Sequence, residues 1–311
     1  MGGIQCRRIA PKNVEILRDV PIMAYAQTVN ILRGSSLAKS IRETTAREVQ
    51  ELRGRGIFPT LAVVIATADA SAHSYVNSIQ KAASALSIVL KVARFSCCTQ
   101  QQLESALLDL SSDGSVHGII LQLPLFADLD TAQAIMRINP LKDVDGLTPQ
   151  NMGLLLAGKE RSALLPATPQ ACVELAETLG TLSGTTVGIV GRGRTVGRPL
   201  LAMAINRHAT VTVCHTRTRD LKKALAPCDI IFVAIGKPNA ITANHFSDGQ
   251  LVIDAGINML GESVVGDVDA SDSMISKLGA LSAVPGGVGP ITTAILFRNL
   301  LRAISLQTTH K

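Results

Sequence analysis

Tryptophan is absent from the 311-residue sequence, tyrosine occurs twice, and aromatic residues make up only 3% of the chain. Proteins that hold nucleic acid commonly combine positive charge with aromatic platforms for stacking. With so few aromatics, the net charge of +6, from 30 Lys and Arg against 24 Asp and Glu, points away from nucleic acid. It points instead to ordinary solubility or to a basic pocket for an anionic small molecule. Long apolar runs are missing too. Stretches such as 118–121 and 230–235 fall far short of the ~20 residues a membrane-spanning helix needs, so no membrane partner is expected. There is no CxxC pair among Cys6, Cys97, Cys98, Cys172, Cys214 and Cys228. Cys97 and Cys98 are adjacent and too close for an ordinary bridge, while Cys214 and Cys228 fall in or beside apolar runs. These read as reduced thiols in a reducing compartment, and no metal site is expected. Disorder is excluded by a composition that is 47% hydrophobic and 17% charged, enough to bury a core.

What is present is an alternation of helices and buried strands. Helices are expected over 36–53, 72–85 and 100–110, and strands over 61–66, 88–95 and 117–123. After a break near 165 the pattern resumes with a helix over 169–179. Strands follow over 185–190, 209–214, 229–235 and 250–255, and a closing helix over 290–305. Continuous apolar strands separated by helices predict parallel sheets covered on both faces. The length suggests two domains. Residues 1–28 read as an extension. It carries Arg7, Arg8, Lys12 and Arg18 but also Glu15 and Asp19, and it is neither acid-poor nor Ser-rich as a mitochondrial leader would be. Cytoplasmic placement is the expectation and mitochondrial placement the secondary reading.

The strand TTVGIV at 185–190 runs into GRGRTVGRP at 191–199. Glycines there let the backbone approach a pyrophosphate, and a following helix N-terminus offers free N–H groups to it. The spacing is GxGxxxG, one residue longer than the commonest dinucleotide fingerprint. An NAD-selective site places an acid some 20 residues further on, for the ribose hydroxyls. Here that place reads CHTRT at 214–218, with no acid. Between 192 and 223 there are eight Lys or Arg and a single acid, Asp220. Guanidinium groups suit a 2′-phosphate that a carboxylate would repel, so NADP is preferred to NAD.

Further strings stand out: QLPL at 122–125, KDVDGL at 142–147, IGKPN at 235–239, IDAGIN at 253–258 and VPGGVGP at 284–290. Together with the glycine turn they resemble the methylenetetrahydrofolate dehydrogenase/cyclohydrolase family from about Val29 to about Ala303. The resemblance implies two α/β domains with a folate cleft between them. These would be a folate-binding catalytic domain over 29–167, completed by a C-terminal helix over 290–311, and a Rossmann dinucleotide-binding domain over 168–289. It implies oxidation of 5,10-methylenetetrahydrofolate to the methenyl form with NADP, then hydrolysis to 10-formyltetrahydrofolate, in a homodimer. Tyr75 then matches a tyrosine that packs along the folate, Gln122 an amide that partners the catalytic lysine, and Asp145 an acid that anchors the pterin. Pro285, Gly286 and Gly287 match the loop over the substrate. The cofactor contacts match at Thr168, Gly191, Arg192, Gly193, Thr216, Ile257, Gly289 and Thr292.

The chain departs from the family pattern where that pattern places its catalytic lysine. That position, four residues after Tyr75, is Ile79, and the serine position three residues before Tyr75 is Ala72. Lys81 is expected to point away, because a sixth residue lies about 240° round a helix from the first. Ser71 is the nearer stand-in for the serine, with His73 and Ser74 also close. Thr67 replaces the glycine usual at the preceding strand end. Hydride transfer needs only correct placement of the methylene carbon, whereas hydrolysis needs a positioned water and a proton relay. The expectation is therefore a dehydrogenase with cyclohydrolase activity in doubt. The alternative is a catalytically silent paralogue that binds folate or a protein.

Overall fold

The computed structural model describes residues 30–261, 263–271 and 276–309. The expected extension over 1–28, with its leader reading and Cys6, lies outside them. The first part of the chain runs β1 (Asn30–Leu32), α1 (Ser35–Gly54), β2 (Thr60–Ile65), α2 (Ala70–Ala85), β3 (Val89–Arg94), α3 (Gln100–Ser112), β4 (Gly118–Gln122), α4 (Thr131–Ile135) and α5 (Pro149–Leu156). The second continues with α6 (Ala167–Glu177), β5 (Thr186–Val190), α7 (Gly197–Asn206), β6 (Thr210–Cys214), α8 (Leu221–Leu225), β7 (Ile230–Val233) and β8 (Leu251–Asp254). It closes with β9 (Asn258–Leu260), β10 (Ser263–Val265), β11 (Ala280–Ser282) and α9 (Val288–Thr309).

This is an α/β fold with two parallel sheets. The smaller has the order β3-β2-β4, and its central strand β2 is buried along its whole length. The larger has the order β1-β11-β8-β7-β5-β6, parallel throughout. Its strand β5 runs between β6 and β7, so the strand order reverses at β5 and opens a crevice at the carboxyl ends, where α/β sheets bind ligands. β9 and β10 form a separate antiparallel hairpin.

Local sequence explains the helix starts. Asp69 caps α2 by accepting from the backbone N–H groups of Ser71 and Ala72 at 2.7 and 3.2 Å, and Thr99 with Gln102 forms a capping box on α3. The expected elements appear within a few residues of their bounds. The three-residue strands β1 and β11 were not expected. Residues 30–32 of the first part thus pair with β11 in the larger sheet, not with β2–β4. One hydrophobic core runs from β2 through α6 and α9 to β5 and β7, and two further clusters cover the outer faces of the sheets.

Candidate active site

The loop after β4 builds the acidic corner of the site. Asp143 is fully enclosed. It accepts from the backbone N–H groups of Leu147 and Thr148 at 3.1 and 2.7 Å and from the Asn151 amide at 3.0 Å. Burial raises its pKa above the ordinary carboxyl range, against the lowering effect of these donors. Gly146 has φ +63°, and a Cβ there would meet the backbone N of Pro166 at 2.5 Å, so the turn closes against 164–166 only with glycine. The Asn299 amide on α9 donates to Val144 O at 2.8 Å and Leu165 O at 2.9 Å, tying the turn to the closing helix. Asp145 is thereby left facing a cavity. Desolvation first, and then the neighbouring Asp143, push its pKa up to about 7.

That cavity measures about 440 Å³ and lies between the two sheets. From the smaller sheet's side it takes Tyr75, Gln122 and Asp145; from the larger sheet's side it takes Thr168, Ile257, Gly289 and Thr292. Seven of the residues singled out in the sequence thus share one hollow. Burial first, and then Asp145, raises the pKa of the Tyr75 hydroxyl above the ordinary phenol range, with Thr293 of α9 acting the other way. Gln122 stands at the end of β4, its amide donating to Leu123 O at 2.8 Å. Ile79 does not reach the cavity. It is fully enclosed, and its side chain joins the core beneath α2. Ala72 is buried and lines the wall. Ser71 lines it as well, but its hydroxyl donates to the capping Asp69 at 2.5 Å. Lys81 is exposed and does not line the cavity. Thr67 holds the turn into α2: its Oγ1 accepts from Asp69 N, and its carbonyl lies 3.0 Å from His73 Nε2.

A second cavity of about 480 Å³ holds Gly191, Arg192, Gly193 and Thr216, together with His215 and Lys237. It opens at the β5 strand-order reversal. Cβ atoms on Gly191 and Gly197 would collide with Ala234 O and Gly191 O, whereas Gly193 faces open space. Two glycines therefore serve the turn, and the third leaves room for a ligand. α7 begins at Gly197 with no side-chain cap, but the turn itself takes up its first donors: Arg198 N–H donates to Gly193 O and Leu200 N–H to Val196 O, both at 3.0 Å, and Pro199 has no N–H. The next two residues of the turn, Thr195 and Val196, line the first cavity, so the glycine turn borders both hollows. Pro285 and Gly286 line a smaller hollow of about 170 Å³ that shares Ile257, Val288 and Gly289 with the main cavity. Gly287 is buried and lines none of these three cavities. Its carbonyl packs against Gly34 at the start of α1.

These two cavities, joined by a glycine turn at a sheet reversal, suit a dinucleotide lying against a second substrate. The family models agree with that layout. Residues 166–308 match the tetrahydrofolate dehydrogenase/cyclohydrolase NAD(P)-binding domain, and residues 32–145 match its catalytic domain. The chain belongs to the tetrahydrofolate dehydrogenase/cyclohydrolase family. Among its relatives is the bifunctional protein FolD of an Exiguobacterium species, 41% identical over 276 residues, covering 88% of this chain and 98% of that protein. The solved bifunctional FolD of Campylobacter jejuni superposes with a TM-score of 0.85 at 36% identity, covering 90% of this chain and all of that one. The Trypanosoma brucei enzyme, solved with NADP and an inhibitor, superposes with a TM-score of 0.84 at 30% identity, over 92% and 99% of the two chains.

Sequence reasoning missed the pieces that hold the site together. Asp267, fully buried, accepts from the backbone N–H groups of Ile235, Gly236 and Lys237 at 2.6–2.9 Å and from the Asn258 amide at 2.9 Å. Asp254 accepts from Gly256, Asp267 and Val268, and burial raises its pKa to about 6. This pair braces the loop of the second cavity against the Ile257 loop of the first. The acids stood in the sequence, but nothing local marked which backbone groups they would meet. Among the described residues no cluster of three His, Cys, Asp or Glu could hold a metal. No described helix is long and apolar enough to cross a membrane. The five described cysteines are free, and Cys172, Cys214 and Cys228 are buried.

Proposed function

We propose that this protein oxidises 5,10-methylenetetrahydrofolate to 5,10-methenyltetrahydrofolate with NADP and hydrolyses the product poorly or not at all. The observation that carries the reading is the meeting of Asp145, Gln122 and Tyr75 with Thr168, Ile257, Gly289 and Thr292 around one cavity. A pterin held by Asp145 would place the one-carbon unit beside the wall where a nicotinamide would lie. Bound NADP supplies the hydride acceptor. Arg192 and Thr216 at the rim of the second cavity, with no acid at 214–218, suit the 2′-phosphate. Asp145 orients the pterin, Tyr75 covers one face of it, and Gln122 presents an amide at the strand end. Hydrolysis has no comparable support. Among the described residues no Lys, Arg or His lines the cavity, and Ile79 lies in the core, so α2 offers no proton relay to a water.

A homodimer and cytoplasmic placement complete this reading, the latter in keeping with the bacterial source of such relatives as the Exiguobacterium protein. The deciding assay follows absorbance with methylenetetrahydrofolate and NADP, and separately NAD, using acid quenching to separate methenyl product from reduced nucleotide. The expected result is reduced nucleotide with NADP and methenyl product that accumulates. No reduction with either nucleotide would favour a silent paralogue, and prompt consumption of the methenyl form would refute the loss of hydrolysis.

A further inference from the structure

We propose that the main cavity is a cation-retaining site that holds the methenyl product in preference to the methylene substrate. The proposal rests on the dehydrogenase reading above for the identity of the ligand. In that reaction the C–H bond of the methylene carbon breaks, and its electron pair leaves as hydride for the nicotinamide ring. The folate N–C–N unit is left as an amidinium cation. One unit of positive charge thus moves from nucleotide to folate, while the framework of the folate hardly changes.

The cavity is built for that charge. Among the described residues, its only lining groups with an acidic proton are Asp145 and Tyr75, and the phenol of Tyr75 stays neutral because burial raises its pKa. Behind Asp145 stands a second enclosed carboxyl, Asp143, and among the described residues neither makes an ion pair. Several bases of the surrounding elements are engaged elsewhere. Lys142 Nζ turns away to Leu110 O and Asp113 O at 3.3 and 2.8 Å. Arg298 of α9 pairs with Glu174. Arg94 meets His73 Nδ1, and the other ring nitrogen of His73 lies against Thr67 O. Ile79 gives α2 no charge to offer. A carboxylate in a desolvated hollow without a counter-ion is completed by a cation, and the product carries one where the substrate does not. With an effective dielectric constant near 20 and a separation of several ångströms, the preference amounts to about tenfold or more in Kd. The product is then held more tightly than the substrate it came from.

Titrating the full chain without nucleotide, so that no turnover occurs, with methenyl- and with methylenetetrahydrofolate gives the ratio of the two Kd values. The ratio should favour the methenyl form by about tenfold or more in the wild type. It should fall towards one in Asp145→Asn, which keeps shape and removes charge, and should shrink in Ile79→Lys. A wild-type ratio near one, or a preference that survives Asp145→Asn, overturns the proposal. Because the ratio is read at equilibrium, it is independent of the dehydrogenase assay. Nucleotide reduction with a ratio of one would sink retention and leave the function standing. A clear preference without any reduction would do the reverse.

Discussion

Asp145 is the residue whose protonation matters most. Its pKa is raised from 3.8 to about 7 by burial and by Asp143. Among the described residues, the only other titratable group lining the cavity is Tyr75, which is neutral here. A folate is held by donors on its pterin, which the ionised carboxylate accepts better than the acid does. Affinity for a folate analogue should therefore rise as pH goes from about 6 to 8, by up to about tenfold. A flat titration over that range would contradict this. The stability sign is opposite. The folded chain keeps a proton that the unfolded chain has lost, so this group's contribution is fully present below about pH 4 and is lost as pH climbs through about 7. Arg192 is exposed at the rim of the second cavity. Arg192→Gln should raise KM for NADP by about tenfold or more, the worth of a charge-assisted hydrogen bond. KM for NAD should barely move, and equal loss with both nucleotides would show that the guanidinium does not read the phosphate.

At the scale of elements, two buried braces decide whether the site keeps its shape. Asp267 serves three successive backbone donors and the Asn258 amide. In Asp267→Asn one oxygen becomes an N–H group pointing at N–H groups. NADPH affinity should fall by about tenfold or more, while a folate analogue binds nearly as before. Fluorescence titration of each ligand separates this from general damage, which would weaken both, and the milder Asn258→Ala should move NADPH affinity the same way. Asn299 fixes α9 to the Asp145 turn through Val144 O and Leu165 O. Asn299→Leu strands both carbonyls in the core and should cost about 1–3 kcal/mol in chemical unfolding. A variant as stable as wild type would show that the carbonyls find other partners. Neither brace was visible in the sequence. The IDAGIN and KDVDGL strings announced turns and acids, but their partners in these braces lie 9 to 155 residues away.

For the whole molecule, the core that runs from β2 through α6 and α9 to β5 and β7 couples the two sheets. Calorimetry should give one unfolding transition, moved upward by NADPH, with about 2.7 kcal/mol gained at a hundredfold excess over Kd. Two resolved transitions would mean that the sheets are thermodynamically separate. The sequence alone determined the elements whose signals are local. Apolar runs bounded by Gly and Pro gave β2, β4, β5 and β7, the glycine turn marked the start of α7, and Ile79 and Ala72 were readable one residue at a time. Only the tertiary structure decided what depends on distant parts of the chain meeting. Three-residue strands carry no periodicity, so β1 could be assigned to the larger sheet only by its pairing with β11, 250 residues on. That Asp145 makes no ion pair among the described residues could be read only once Lys142, Arg298 and His73 were seen bound elsewhere. Burial and charge balance belong to a volume, and the chain's order fixes only the list of groups that can fill it.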